Sequence, residues 1–250
     1  MKFLGIIPAR YASVRFPGKP LADLGGKPLI QRVCETAGNF LDHVVIATDD
    51  ERIMDAVERF GGEVLMTSDR HRSGTDRCAE AAAVMNRKGY DFDAVINIQG
   101  DEPFIEKDQF ELLMNAFSDP VVEIATLAGP IRDQNELFNP NVVKVVRRKD
   151  GNALYFSRSP IPFIRQYEKN DWLKHYDFLH HLGIYAYRYN TLLEITRLTP
   201  SSLELAESLE QNRWLENGRN IRVCFTEKVN PGIDTPEDLE RARSMISAKE

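Results

Sequence analysis

Nowhere among the fifteen glycines of the 250-residue chain does Gly-x-Gly occur, so the dinucleotide-binding fingerprint is missing. Gly18-Lys19 and Gly26-Lys27 are each followed by Pro, and neither has a glycine five residues earlier, which excludes a Walker A loop. Cysteine is scarce. Cys34, Cys78 and Cys224 make an odd count with no Cys-x-x-Cys, against both a zinc ribbon and a disulfide framework, and each sits among apolar neighbours as a small hydrophobe would. No apolar run approaches the roughly 18 residues of a membrane span, and Phe3–Ala9 is too short for a signal-peptide core. Basic surplus is missing too: 32 Lys and Arg face 38 Asp and Glu, a net charge of −6, against a general nucleic-acid binder. The expectation is a reduced, cytoplasmic protein without nucleic-acid or membrane partners.

What remains is an ordinary globular composition, 42% hydrophobic and 28% charged. Short apolar runs at Phe3–Ile7, Val44–Ala47, Val64–Met66 and Val95–Ile98 alternate with amphipathic segments at 29–40, 51–60 and 75–85. That rhythm predicts right-handed crossovers and a mostly parallel central sheet with helices on both faces. After Asp101 the rhythm changes. A helix over 106–117 and a strand over 123–128 precede two runs, 142–146 and 153–156, on either side of the turn signal Asp150-Gly151. An aromatic strand over 178–189, a helix over 203–215 and a strand over 221–225 follow. With no Ser/Gly-rich linker and no repeat, the chain reads as a single domain over 1–250. A smaller antiparallel subdomain over roughly 130–200 is an elaboration within it.

The first strand breaks at Pro8 into a loop carrying Arg10, Ser13, Arg15, Gly18 and Lys19. From Arg10 to Lys27 there are four basic residues and one acid, Asp23, in a chain that is acidic as a whole. A locally positive, Gly- and Pro-shaped loop at the carboxyl end of a buried strand suits a polyphosphate. The plainer alternative is a solvated basic loop.

Asn97-Ile98-Gln99-Gly100-Asp101-Glu102-Pro103 puts a carboxylate just past another buried strand, with Gly100 allowing close backbone approach. A carboxylate beside a phosphate site repels it unless a divalent ion lies between them. Mg²⁺ typically takes one or two carboxylates plus phosphate oxygens. Asp234 becomes the second ligand if the chain returns to the same crevice; otherwise it is a turn residue. It precedes a helix start in which Thr235 caps, Pro236 takes the first position and Asp238 closes a capping box.

In order, GIIPARYASVRFPGKPL, ATDD, HRSGTDR, NIQGDEP, FNPNVVKVV, ALYFSRSPIP, HHLGIYAYR, SSLELAESLEQNR and GIDTPEDLERAR resemble the 3-deoxy-manno-octulosonate (Kdo) cytidylyltransferase family over nearly the whole chain. The first segment is shared in its logic with other sugar nucleotidyltransferases. NIQGDEP, YFSRSPIP and HLGIYAYR together are more specific, and 166–176 resembles the family least. The resemblance implies a GT-A-like nucleotidyltransferase fold, a Mg²⁺ cofactor and CTP and Kdo as substrates. It also implies a homodimer with the strand around 183–187 in its interface, and a place in lipopolysaccharide synthesis. It places Pro8, Ala9, Arg10, Ser13, Arg15 and Lys19 around the nucleotide, with His71, Arg72, Ser73 and Gly74 near the cytosine and Gln99 and Asp101 beside them. Lys19 and Arg10, with the metal ligands Asp101 and Asp234, would carry catalysis. Arg158, His181, Tyr185, Glu210 and Gln211 would face Kdo, with Arg77 and Gln99 close by.

His180 and His181 alternate on one strand, so at most one enters the pocket, and the motif favours His181. Tyr185 reads as a sugar contact, a core residue or a dimer contact. Glu210 and Gln211 lie about 100° apart on a helix, and Gln211 is the better ligand candidate. Ser157 and Ser159 read as turn caps, with no His/Asp arrangement to make either a nucleophile. The rival readings are a cytidylyltransferase for another acidic sugar, such as sialate or an amino analogue of Kdo, and a non-catalytic nucleotide-binding regulator. Paired Asp101 and Asp234 speak against the regulator.

Overall fold

The computed structural model describes residues 1–12 and 16–247, so Ser13 and Arg15 lie outside the described residues. The chain packs as two units. The first gathers Met1–Phe110, Tyr187–Thr196 and the segment from Asn230 onward; the second gathers Glu111–Ala186 and Arg197–Val229. The second unit therefore begins earlier and ends later than the 130–200 elaboration expected from sequence.

In the first unit β1 (Phe3–Ala9), α1 (Leu29–Gly38), β2 (His43–Thr48), α2 (Glu51–Arg59), β3 (Glu63–Met66), α3 (Gly74–Arg87) and β4 (Ala94–Asn97) follow the alternation read from sequence. The strands pair in parallel in the order β3-β2-β1-β4. Leu4, Ile6 and Ile7 of β1 are all buried, as a strand covered on both faces requires. A Cβ on Gly5 would lie 2.8 Å from Leu41 Cδ1, so a side chain there would have to displace the Leu41 side chain. Asp50 caps α2 by accepting from Arg52 N at 3.0 Å. Helix α4 (Lys107–Ala116) follows, and its residues are divided between the two units.

The second unit holds β5 (Ile124–Pro130), α5 (Gln134–Phe138), β6 (Lys144–Arg147), β7 (Ala153–Ser157), α6 (Trp172–His175) and most of β8 (Leu179–Arg188). After α7 (Tyr189–Ile195) of the first unit it resumes with α8 (Ser202–Glu207), α9 (Glu210–Glu216) and β9 (Arg222–Phe225). The hairpin expected around Asp150-Gly151 is present, β6 pairing antiparallel with β7 and with β8. The unit is not wholly antiparallel, because β9 pairs in parallel with β5. The helix expected over 203–215 is two helices. Ser208, at φ 52°, is left-handed and turns the chain between them. Four of the five residues 183–187 are buried within the chain itself: Ile184, Tyr185, Ala186 and Tyr187.

The closing helix, α10 (Pro236–Ser247), starts as read. Asp238 N donates to Thr235 Oγ1 at 3.2 Å and Thr235 N donates to Asp238 Oδ2 at 2.9 Å.

Candidate active site

A cavity of about 290 Å³ opens at the carboxyl ends of β1 and β4 in the first unit. Pro8, Ala9, Arg10, Lys19, Arg72, Ser73, Gly74, Arg77, Gln99 and Asp101, all expected in the site, line it. Its walls approach closely because two glycines permit it. A Cβ on Gly74 would sit 3.3 Å from the Pro8 ring, and one on Gly100 would sit 3.3 Å from the Pro8 carbonyl oxygen. Helix α3 begins at this wall. Ser73 Oγ accepts from Asp76 N at 3.1 Å and Ser73 N donates to Asp76 Oδ2 at 3.3 Å, so Ser73 caps the helix. The positive end of a 14-residue helix lies beside the cavity, an environment that favours a phosphate.

Lys19 stands at the acidic side. Gly18, left-handed at φ 72°, turns the chain into a short 3₁₀ segment, Lys19–Leu21. The Lys19 Nζ lies 2.6 Å from Asp101 Oδ2 and 3.3 Å from Asp234 Oδ1. The chain does return to the same crevice, and Ile233 N donates to the Asp101 carbonyl at 2.9 Å. Sequence reasoning missed Glu102. Desolvation first, then the neighbouring Asp101 and Asp234, push its carboxyl up to about 8, against the pull of Lys19. Two carboxylates, Asp101 and Asp234, meet the Lys19 ammonium, with Glu102 next to them; only the Asp-Glu doublet in the sequence hinted at Glu102.

The loop before α3 is braced from behind. Arg10 Nη2 donates to the His71 carbonyl, and the His71 ring pairs with Glu80 on α3. Glu80 also accepts from Ser68 N at 2.9 Å. Arg77 is fully buried, its Nη2 on Asp49 Oδ2 at 2.6 Å and its Nη1 on Thr67 Oγ1 at 2.5 Å. Asp49 and Glu80 were not among the expected site residues.

The residues expected at the sugar lie in the second unit. His181 is 7% exposed, its Nε2 3.0 Å from Thr126 Oγ1 and its ring against Phe156 and Tyr185. Burial, with His180 adding, pushes His181 down to about 3, so at neutral pH it is an uncharged hydrogen-bonding group. Tyr185 packs edge-on against Trp214, and burial with the Glu210 charge raises its hydroxyl well above the ordinary value. Gln211 is buried, and Glu210 accepts from Arg213 Nη2 at 2.6 Å. Arg158 is engaged on backbone carbonyls: Nε on Glu207 at 2.7 Å, Nη1 on Pro140 at 3.0 Å and Nη2 on Ser208 at 3.3 Å. Ser157 behaves as a turn group, accepting from Ser159 N at 3.0 Å.

A parallel sheet with a cation-lined cavity at its carboxyl edge is the arrangement of a nucleotide-binding α/β protein. A family model described as cytidylyltransferase matches residues 4–221. The 3-deoxy-manno-octulosonate cytidylyltransferase of Parabacteroides distasonis is 56% identical, over 99% of both chains. That of Phocaeicola vulgatus is 58% identical, over 100% of this chain and 99% of its own. A solved structure of CMP:2-keto-3-deoxy-manno-octonic acid synthetase complexed with CTP is 43% identical, with a TM-score of 0.90 and full coverage of both chains. The chain belongs to the 3-deoxy-manno-octulosonate cytidylyltransferase family.

Proposed function

We propose that this chain transfers CMP from CTP to the anomeric hydroxyl of Kdo, giving CMP-Kdo and pyrophosphate and so activating the sugar for lipopolysaccharide synthesis. Kinship over the full length supports this reading. The observation that carries it is the convergence of Lys19, Asp101 and Asp234 beside the cavity at the start of α3.

The residues suit in-line phosphoryl chemistry, in which positioning and charge neutralisation do most of the work. The α3 N-terminus and Arg10 hold the triphosphate. Lys19 neutralises charge growing on the departing pyrophosphate. Asp101 and Asp234 converge on one cationic point with hard oxygen donors, which suits Mg²⁺, and these two would hold it. When bound, Mg²⁺ would neutralise phosphate charge and lower the pKa of the attacking hydroxyl. Neutral His181, the Gln211 amide and Glu210 hydrogen-bond sugar hydroxyls, while the positive charge of Arg158 attracts the sugar carboxylate. The proposal includes a cytoplasmic homodimer. Among the described residues no helix is long and apolar enough to cross a membrane, and sedimentation velocity reads the oligomer.

Pyrophosphate release tests the reaction. Turnover should require CTP and Kdo together, fall sharply with ATP or GTP, and stop with a chelator until Mg²⁺ is restored. Asp101→Asn and Asp234→Asn should each lose about 10²-fold in kcat, the scale of one lost electrostatic stabiliser. Equal turnover with sialate would overturn the sugar; full activity in either Asp variant at limiting Mg²⁺ would overturn the metal site.

A further inference from the structure

Between the two short helices of the second unit lies a carboxylate that the reaction itself does not use. Glu207 is the last residue of α8, and its side chain turns back onto the end of β7. Its Oε1 accepts from Ser157 Oγ at 2.6 Å and from the Tyr155 hydroxyl at 3.3 Å, and its Oε2 accepts from Arg158 N at 2.9 Å. Arg158 returns the grip, since its Nε and Nη2 hold the carbonyls of Glu207 and Ser208. The clasp is reciprocal: the carboxylate fixes the backbone of Arg158, and the guanidinium fixes the backbone of the turn.

The clasped turn is the one that must be held. Ser208 is left-handed, a conformation that costs a non-glycine residue free energy and persists only where its surroundings impose it. Two residues later α9 opens with Glu210 and Gln211. A second clasp, Asn212 on Phe156, sets the depth of that helix: Oδ1 accepts from Phe156 N at 3.3 Å and Nδ2 donates to its carbonyl at 3.0 Å. Helix α9 is also tied toward α8, Arg213 Nη1 donating to the Leu198 carbonyl at 3.0 Å and Glu216 Oε1 accepting from Ser202 Oγ at 3.0 Å. Glu207 adds the tie between the turn before Glu210 and Gln211 and the end of β7.

We infer that Glu207 is a positioning residue for the sugar side of the site, locking Arg158 and the start of α9 in one register so that Glu210 and Gln211 meet Kdo at fixed angles. This rests on the functional reading above, yet it makes its own prediction. A half-buried hydrogen-bonding acceptor lost from such a clasp should cost up to about tenfold in binding of the ligand whose contacts it fixes. Glu207→Ala should therefore raise the KM for Kdo by up to about tenfold and leave the KM for CTP within about twofold. Glu207→Gln should rescue most of the loss. Its carbonyl still accepts from Arg158 N, and its amide donates to the Ser157 hydroxyl, which can reverse its own bond.

Hydrogen exchange on the substrate-free protein reads the clasp independently of any sugar. Amides over 208–213 should exchange faster in Glu207→Ala and near the wild-type rate in Glu207→Gln. Unchanged exchange in Glu207→Ala overturns the clasp, and KM values for CTP and Kdo rising in parallel overturn the positioning role in favour of general loosening. If Glu207→Ala does not fold, Glu207→Asp decides. One methylene shorter, it cannot span both Ser157 and Arg158, and a Kdo KM unchanged in that variant overturns the inference. A wild-type chain inactive with CTP and Kdo is a different result, because it sinks the functional reading whatever the exchange shows.

Discussion

His181 joins a buried environment to a functional one. Its ring is held uncharged by desolvation, and that of His180 is pushed down to about 4 by burial and then by Lys144. Both folded-state values lie below the unfolded value of about 6.5. Between about pH 6.5 and those values the unfolded chain binds more protons than the folded one, so stability falls as pH falls through this window. Each histidine contributes a slope of up to about 1.4 kcal/mol per pH unit there. Thermal denaturation at pH 7, 6 and 5 should show a falling midpoint, and His181→Asn should flatten the fall by about half. An equal fall in the variant would mean that His181 protonates freely in the folded state. The motif pointed to His181; the proton accounting follows from a strand buried on both faces, which one alternating pattern does not reveal.

At the scale of elements, the alternation of the first hundred residues was legible because parallel strands buried on both faces leave unbroken apolar runs. The Thr235–Asp238 cap was legible for the same local reason, since it needs only residues three apart. The Ser73–Asp76 cap has the same spacing, yet the resemblance marks Ser73 only as a residue near the cytosine. The break at Ser208 was not legible. Nothing in Ala-Glu-Ser-Leu-Glu forbids a continuing helix, and the turn is imposed by Arg158, 50 residues away. Arg77 and Asp49 likewise meet across 28 residues as a part-buried pair, a partnership the HRSGTDR motif does not show. Left-handed backbone at Ser208 gives a direct check. Ser208→Gly should be neutral or stabilising by up to about 1 kcal/mol, and Ser208→Val should lose about 1–2 kcal/mol, because a β-branched side chain resists that conformation. Urea denaturation measures both, and a stabilising valine would mean the turn has relaxed.

For the molecule as a whole, the division of the sequence matters as much as the division of labour. Helix α7 belongs to the first unit yet lies in sequence between stretches of the second, and it packs on α3 and β4. Neither unit can be cut out genetically as one uninterrupted piece. The last stretch of the first unit, from Asn230, ties back by Asn230 Nδ2 to the Phe104 carbonyl at 2.6 Å and by Arg243 to the Asp23 carbonyl at 2.7 Å. A chain ending at Val229 should therefore lose turnover wholly and unfold at a lower temperature, which an activity assay and a melting curve would read.

Lys19 and Asp234 are 215 residues apart in sequence. A ribosome makes the ammonium long before its second carboxylate, while domains generally fold as units from the N-terminus during synthesis. The parallel strands can pair long before Asp234 has been translated. The nascent chain thus carries a half-built crevice until then, with Lys19 and Asp101 already present. Competence waits for the segment carrying Asp234 to dock, so a message truncated before that codon yields a parallel sheet that performs no chemistry.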